Sequence, residues 1–110
     1  MTRTRQERFK SLGRFSEVGF HIMVALAEGP KHGYAMMQEI GGMAGSAPGP
    51  GTLYAAIAKL EERQWIAPVA SDDRRRPYRL TPSGRQALRA RLAALEAVSR
   101  TARQRLAHQS

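Results

Sequence analysis

The strongest constraint on the fold lies in the final stretch of the chain, where no glycine or proline occurs after Gly84. Thr81-Pro82-Ser83 has the pattern of a helix start, with Thr81 as N-cap and Pro82 in the first turn. The spacing predicts a helix from there to about His108, roughly 24 residues and about 36 Å long. Within it Leu88, Leu92, Leu95, Ser99, Ala102 and Leu106 alternate at intervals of four and three, with Val98 alongside, which is a heptad seam. From Leu88 to Leu106 that seam runs about 27 Å, longer than so small a domain can cover. It is expected to pack on a second copy. Folding back on the first helix is the alternative, and Ser99 and Ala102 weaken a long two-stranded coil; both arrangements can hold in part.

The rest of the 110 residues allows a single core. From Phe15 to Ala27 the residues Phe15, Val18, Ile22, Val24, Ala25 and Leu26 recur near helical spacing, and Gly29-Pro30 stops that helix. A second helix of about ten residues is expected through Tyr34, Met37 and Ile40, with Gly41-Gly42 ending it. The Gly- and Pro-rich stretch 41–51 reads as a loop. Pro50 then suits a first helical turn, and Leu53, Ala56, Ile57 and Leu60 form a stripe that carries a third helix to near Gln64. Trp65 to Val69 and Tyr78 to Thr81 read as two short strands of a hairpin, with Pro68 confining the first to an edge and Arg74, Arg75 and Arg76 at the tip. The division expected is a flexible basic arm over 1–14, a helical domain with its hairpin over 15–81, and the long helix over 82–110.

Charge adds a partner to this outline. Lys and Arg total 18 against 9 acidic residues, a formal net charge of +9, and such an excess attracts polyanions. Arginine dominates the cations, which suits bidentate phosphate contacts and is equally the mark of a GC-rich genome. The excess sits in residues 1–14, in the Arg cluster near 75 and in the last helix, whereas 15–71 is slightly acidic. There is no cysteine, so no disulfide framework, thiolate metal site or cysteine nucleophile. The most apolar stretch, Phe20 to Ala27 with His21 within it, is far short of the roughly 20 residues that span a bilayer. The chain reads as cytoplasmic, without a membrane partner. Its Arg-rich start can mimic an organelle transit peptide, but it leads into a patterned domain.

Three helices, a hairpin with a basic tip and a long helix follow the order of a winged helix-turn-helix with a C-terminal dimerisation helix. The fold class expected is therefore mainly α with a small β-hairpin. With Leu53 at the centre of the buried face, the outward arc of the third helix holds Tyr54, Ala55, Ala58, Lys59 and Glu62, with Gly51 and Thr52 at its N-terminal end. Small residues there admit close approach to base edges, and the helix N-terminus favours a phosphate.

Three motifs make the chain resemble the PadR-like family of bacterial transcriptional regulators. Ala25 to Tyr34 (Ala-Leu-Ala-Glu-Gly-Pro-Lys-His-Gly-Tyr) is similar to that family's passage from helix one into helix two. Pro50-Gly51-Thr52-Leu53-Tyr54 with Ala56 to Glu61 resembles the start of its recognition helix, although Ala55 stands where the family often has proline. Arg74 to Arg85 resembles its wing and the opening of its last helix. The resemblance covers about 18–106 and implies a homodimer that binds double-stranded DNA at an inverted-repeat operator, usually as a repressor released by a small-molecule effector. It implies a DNA contact from Tyr34, to which the outward arc of the third helix and the hairpin add Thr52, Tyr54, Lys59, Arg74, Arg75, Arg76, Tyr78 and Arg79 as expected DNA contacts, and the heptad seam adds an expected dimer interface of Leu88, Leu92, Leu95, Val98, Ala102 and Leu106.

Each feature also has a plainer reading. Tyr34 could pack on the turn, the Arg run could be a solvated hairpin tip, and the arm could be a disordered tail. Trp65 reads as a core residue at the junction of recognition helix and wing, with effector stacking as the alternative. Met23, Met36, Met37 and Met43 suit an adaptable core, or a pocket at a dimer interface. His21, His32 and His108 lack partners at metal-ligand spacing, so no metal or other cofactor is expected, and His32 is read as ordering the turn into the second helix. No nucleophile elbow or phosphate-binding glycine motif is present, so an enzyme is not expected. Outside sequence-specific regulation, the remaining readings are an architectural basic protein and a winged-helix adaptor for other proteins.

Overall fold

The computed structural model describes residues 16–72 and 74–109; the basic arm expected over 1–14 lies outside them. Helix α1 spans Glu17–Leu26; Ser16 takes the N-cap and its hydroxyl accepts from the Gly19 amide at 2.9 Å. Helix α2 spans Gly33–Ala44. His32 caps it, with the ring Nδ1 accepting from the Ala35 amide at 3.5 Å, so this histidine does order the turn into α2.

The expected end of α2 at Gly41-Gly42 is corrected: both glycines are helical. The helix stops at Gly45, which takes the left-handed conformation (φ 87°) and donates its amide to the Gly41 carbonyl. Glycine inside a helix costs only about 1 kcal/mol relative to alanine, and burial of Met36 and Ile40 on this helix offsets that. Gly41 also faces Ala47, whose Cβ would lie 3.4 Å from a Cβ at position 41. The loop is thereby reduced to the few residues before Pro50. Helix α3, Pro50–Glu62, opens on that proline and buries Leu53, Ala56, Ile57 and Leu60, the stripe read from the sequence.

Strands β1 (Ile66–Pro68) and β2 (Tyr78–Leu80) pair antiparallel with Ile66 opposite Leu80 and Pro68 opposite Tyr78. Proline is accommodated because β1 is the outer strand. Helix α4 runs Pro82–Gln109, 28 residues and about 42 Å, somewhat longer than expected. One core joins all these elements through Ile22, Met23, Leu26, Met36, Ile40, Leu53, Ile57, Leu60, Ile66, Leu80 and Leu88. Met37 packs against it, whereas Met43 is exposed at the end of α2. Among the described residues no helix is long and apolar enough to cross a membrane.

The junction between α3 and α4 fixes the geometry of the hairpin between them. Gln64 adopts a positive φ of 62°, turning the chain out of α3, and its carbonyl accepts from the hydroxyls of Thr81 (2.7 Å) and Ser83 (3.0 Å). The same Thr81 hydroxyl accepts from the Gly84 amide at 3.0 Å, so one side chain caps α4 and closes α3. The Trp65 carbonyl accepts from the Thr81 amide, and Gly84 lies directly on that carbonyl, where any Cβ would overlap the oxygen.

In the interior of an exposed helix, glycine to alanine stabilises by about 1 kcal/mol; at Gly84 the sign reverses. Gly84→Ala is expected to lower the unfolding free energy by about 2 kcal/mol, because the backbone of Trp65 must yield. Urea unfolding followed by circular dichroism measures it.

Candidate nucleic-acid interface

Because the Leu53 stripe is buried, the opposite face of α3 is presented to solvent, and Gly51, Thr52, Tyr54, Ala55, Ala58, Lys59 and Glu62 are all exposed. Tyr54 is 53% exposed, yet its far end is placed. A Cβ at position 33 would lie 2.6 Å from the Tyr54 hydroxyl and 3.0 Å from its ring, so the absence of a side chain at Gly33 lets the phenol lie across the first turn of α2. Beside it Tyr34 is 61% exposed and accepts a hydrogen bond from Gln38 Nε2 at 3.3 Å. The Tyr34 ring therefore faces outward and does not pack into the turn. Tyr54 thus reaches from α3 to the first turn of α2, which carries Tyr34, while Thr52 is exposed on the first turn of α3.

The wing carries Arg74, Arg75, Arg76 and Arg79, all exposed. Arg76 has a left-handed backbone (φ 50°), a conformation that costs a non-glycine residue about 1 kcal/mol and that turns the chain back into β2. Tyr78 is placed differently from these arginines. Its side chain is half-buried against the core, while its backbone exchanges two hydrogen bonds with Lys31, at 3.0 and 2.9 Å. The link between α1 and α2 thus serves as a third strand for the wing.

Lys31 was not singled out by the sequence reading, although Glu28 three residues before it was a visible signal. Its ammonium is mostly buried and pairs with Glu28 at 2.5 Å and Glu39 at 3.2 Å, while donating to the Ala25 carbonyl at the end of α1 at 2.8 Å. Burial works against the charge, but the hydrogen bonds that Lys31 donates to Glu28 and Glu39 outweigh it and hold the pKa above the ordinary lysine value. One residue thereby joins the end of α1, the body of α2 and the wing. Trp65, half-buried against the core between α3 and β1, has the Arg63 guanidinium 5.2 Å from its ring centroid.

The heptad seam divides at its first member. Leu88 is 7% exposed, inside the protomer's own core, so it is corrected from interface to core residue. One turn on, the Arg91 guanidinium lies over the Phe20 ring at 5.6 Å. Farther along, Leu92, Leu95, Val98 and Leu106 are uncovered, Leu95 at 43% and Leu106 at 72%, and Ala102 is exposed with them. The helix packs back on α1 over its first turns and leaves the domain thereafter.

A helix with an exposed face, a neighbouring basic wing and a protruding helix give this site its form. The sequence profile described as "Transcriptional regulator PadR-like family" matches residues 22–90, more than half of the chain. The chain belongs to the PadR-like family. Family members are transcription regulators and not enzymes, which supports a DNA-binding regulator here. This PadR-like chain is 43% identical over 75 residues to an uncharacterized 37.1 kDa transposon protein of Streptomyces fradiae, the match covering 68% of this chain and 22% of that protein. It therefore spans about a fifth of the length of that relative. Its fold is similar to a PadR family transcription regulator from Clostridium difficile (TM-score 0.72, 21% identity, covering 81% of this chain and 97% of that one). It is also similar to a transcriptional regulator from Clostridium thermocellum (TM-score 0.70, 24% identity, 86% and 93%). A PadR-like transcription factor from Bacteroides fragilis shares the fold as well (TM-score 0.63, 21% identity, 94% and 99%).

The ion-pair centre gives a pH signature. A lysine whose pKa is raised by folding stabilises fully below its unfolded value, and the effect is lost as pH rises through the folded one. Lys31→Met is expected to cost about 1 kcal/mol at pH 7. The gap between wild type and variant should stay level through neutral pH and close in the alkaline range above 10.5. Denaturant unfolding of both proteins between pH 6 and pH 11.5 checks the trend.

Proposed function

We propose that this PadR-like chain is a homodimeric, cytoplasmic repressor that binds an inverted-repeat operator in double-stranded DNA and is released by a small-molecule effector. The observation that carries the proposal is the exposed face of α3 standing beside an exposed arginine wing, both held to one core. In this reading α3 enters the major groove with Thr52, Tyr54 and Lys59 toward base edges or phosphates, and Tyr34 contacts the backbone from α2. Arg74, Arg75, Arg76 and Arg79 hold phosphates across the wing. Tyr78 contributes by seating the hairpin that carries them. Residues 15–81 act as the DNA-binding domain and 82–110 as the dimerisation helix, through Leu92, Leu95, Val98, Ala102 and Leu106.

Gel shifts on the promoter region beside the protein's own gene test this reading. Tyr54→Ala is expected to weaken specific binding about tenfold, a loss of roughly 1.4 kcal/mol. Arg75→Ala should weaken specific and random duplex alike and make the salt dependence shallower by about one unit of slope. Binding left unchanged by both variants removes the assigned contacts, and equal affinity of the wild type for random duplex favours the architectural reading.

A further inference from the structure

We propose that two copies of the chain pair through antiparallel α4 helices, in a register set by Glu96 of each copy against Arg103 of the other. The inference rests on the dimer reading above and adds orientation and register. Its starting point is charge. Glu96 is the sole acidic residue of α4, whose sequence after it holds Arg100, Arg103 and Arg105. Among the described residues Glu96 has no ion pair within its own chain, and it is exposed beside Leu95.

In the heptad frame Glu96 and Arg103 occupy the same flank of the seam, seven residues apart, while Arg91, Val98 and Arg105 occupy the other. Antiparallel helices bring like flanks together, and parallel helices bring opposite flanks together. A parallel pair would set the three C-terminal arginines of each copy side by side with no acid among them. It would also ask Glu96 to pair with Arg91, whose guanidinium is already placed over Phe20. An antiparallel pair with Leu95 opposite Leu106 places Ser99 opposite Ala102 at the centre, where small side chains let the helices approach. The same register sets Glu96 against Arg103 twice, once on each side of the two-fold axis, and covers Leu95 and Leu106, which are 43% and 72% exposed in one copy. The two helix macrodipoles then also oppose each other favourably.

The register has a consequence for spacing. Leu88 is the last α4 residue in the protomer's core, and the axis falls between residues 100 and 101. The two points of attachment are then about 38 Å apart along the helices, comparable with the 34 Å or so between successive major-groove faces of an operator.

The chain has no cysteine, so introduced thiols report orientation without background. Leu95→Cys and Leu106→Cys proteins are to be purified separately and oxidised alone and as a mixture. The expected result is a disulfide-linked dimer from the mixture and none from Leu95→Cys alone. A Leu95→Cys protein that crosslinks to itself overturns the proposal in favour of a parallel pair or a two-fold axis at Leu95, with the dimer intact. Sedimentation of the unmodified protein as a monomer overturns the dimer reading itself, a separate outcome. Charge provides a second measurement. Glu96→Arg is expected to raise the dimer dissociation constant about tenfold. Adding Arg103→Glu should restore it to within about threefold, whereas failure of the double exchange to restore it rejects the pairing.

Discussion

The winged-helix geometry depends on how the carbonyls of Gln64 and Trp65 are satisfied. A helix that ends leaves its last carbonyls and the chain just beyond it in need of donors, and at the end of α3 these come from the start of α4. Thr81 and Ser83 supply hydroxyls to Gln64, and the Thr81 amide reaches Trp65. Helices α3 and α4 are therefore fixed to each other at one point, and the hairpin projects from between them. Gly84 is needed there because α4 must press against the Trp65 carbonyl to let Thr81 reach it.

A second tie holds the other side of the wing. The paired hydrogen bonds between Lys31 and Tyr78 join β2 to the link between α1 and α2, and the Lys31 ammonium reaches back to the end of α1 and across to Glu39 on α2. A two-stranded ribbon alone is marginal in water. Anchored on both sides, this one can carry exposed arginines at a defined distance from α3. Placement of cations by the scaffold matters here because a phosphate contact contributes only where its partner is already in reach.

Periodicity in the sequence sufficed for the burial of Leu53, Ala56, Ile57 and Leu60 and for the protruding α4, since both follow from one helix repeat. The Thr81 cap was legible for a similar reason, being local chemistry. What escaped the reading was set by contacts between distant segments. Gly41-Gly42 carry a strong breaking signal, but Met36 and Ile40 keep the helix packed and Gly45 alone supplies the left-handed turn. Leu88 has the same spacing as the rest of the seam, and only its place beside α1 makes it a core residue. Nothing local to Gly33 tells that the Tyr54 phenol lies over it. The pairing of Lys31 with Tyr78 spans 47 positions and leaves no local trace.

Under the proposed function, the distribution of charge separates holding DNA from reading it. On the exposed face of α3 Lys59 is offset by Glu62, so that face is near neutral, whereas the wing presents four exposed arginines and α4 carries six against one acid. Cations far from the groove attract any duplex about equally and supply affinity that salt screens. In the proposed binding mode discrimination comes from groups that would approach base edges without strong charge, namely Thr52, the placed phenol of Tyr54 and the small residues Gly51, Ala55 and Ala58, and from the deformability of the DNA. A near-neutral reading face has a physical advantage: a wrong sequence gains little from electrostatics there, so misplaced hydrogen bonds on α3 are not masked by the pull of the wing.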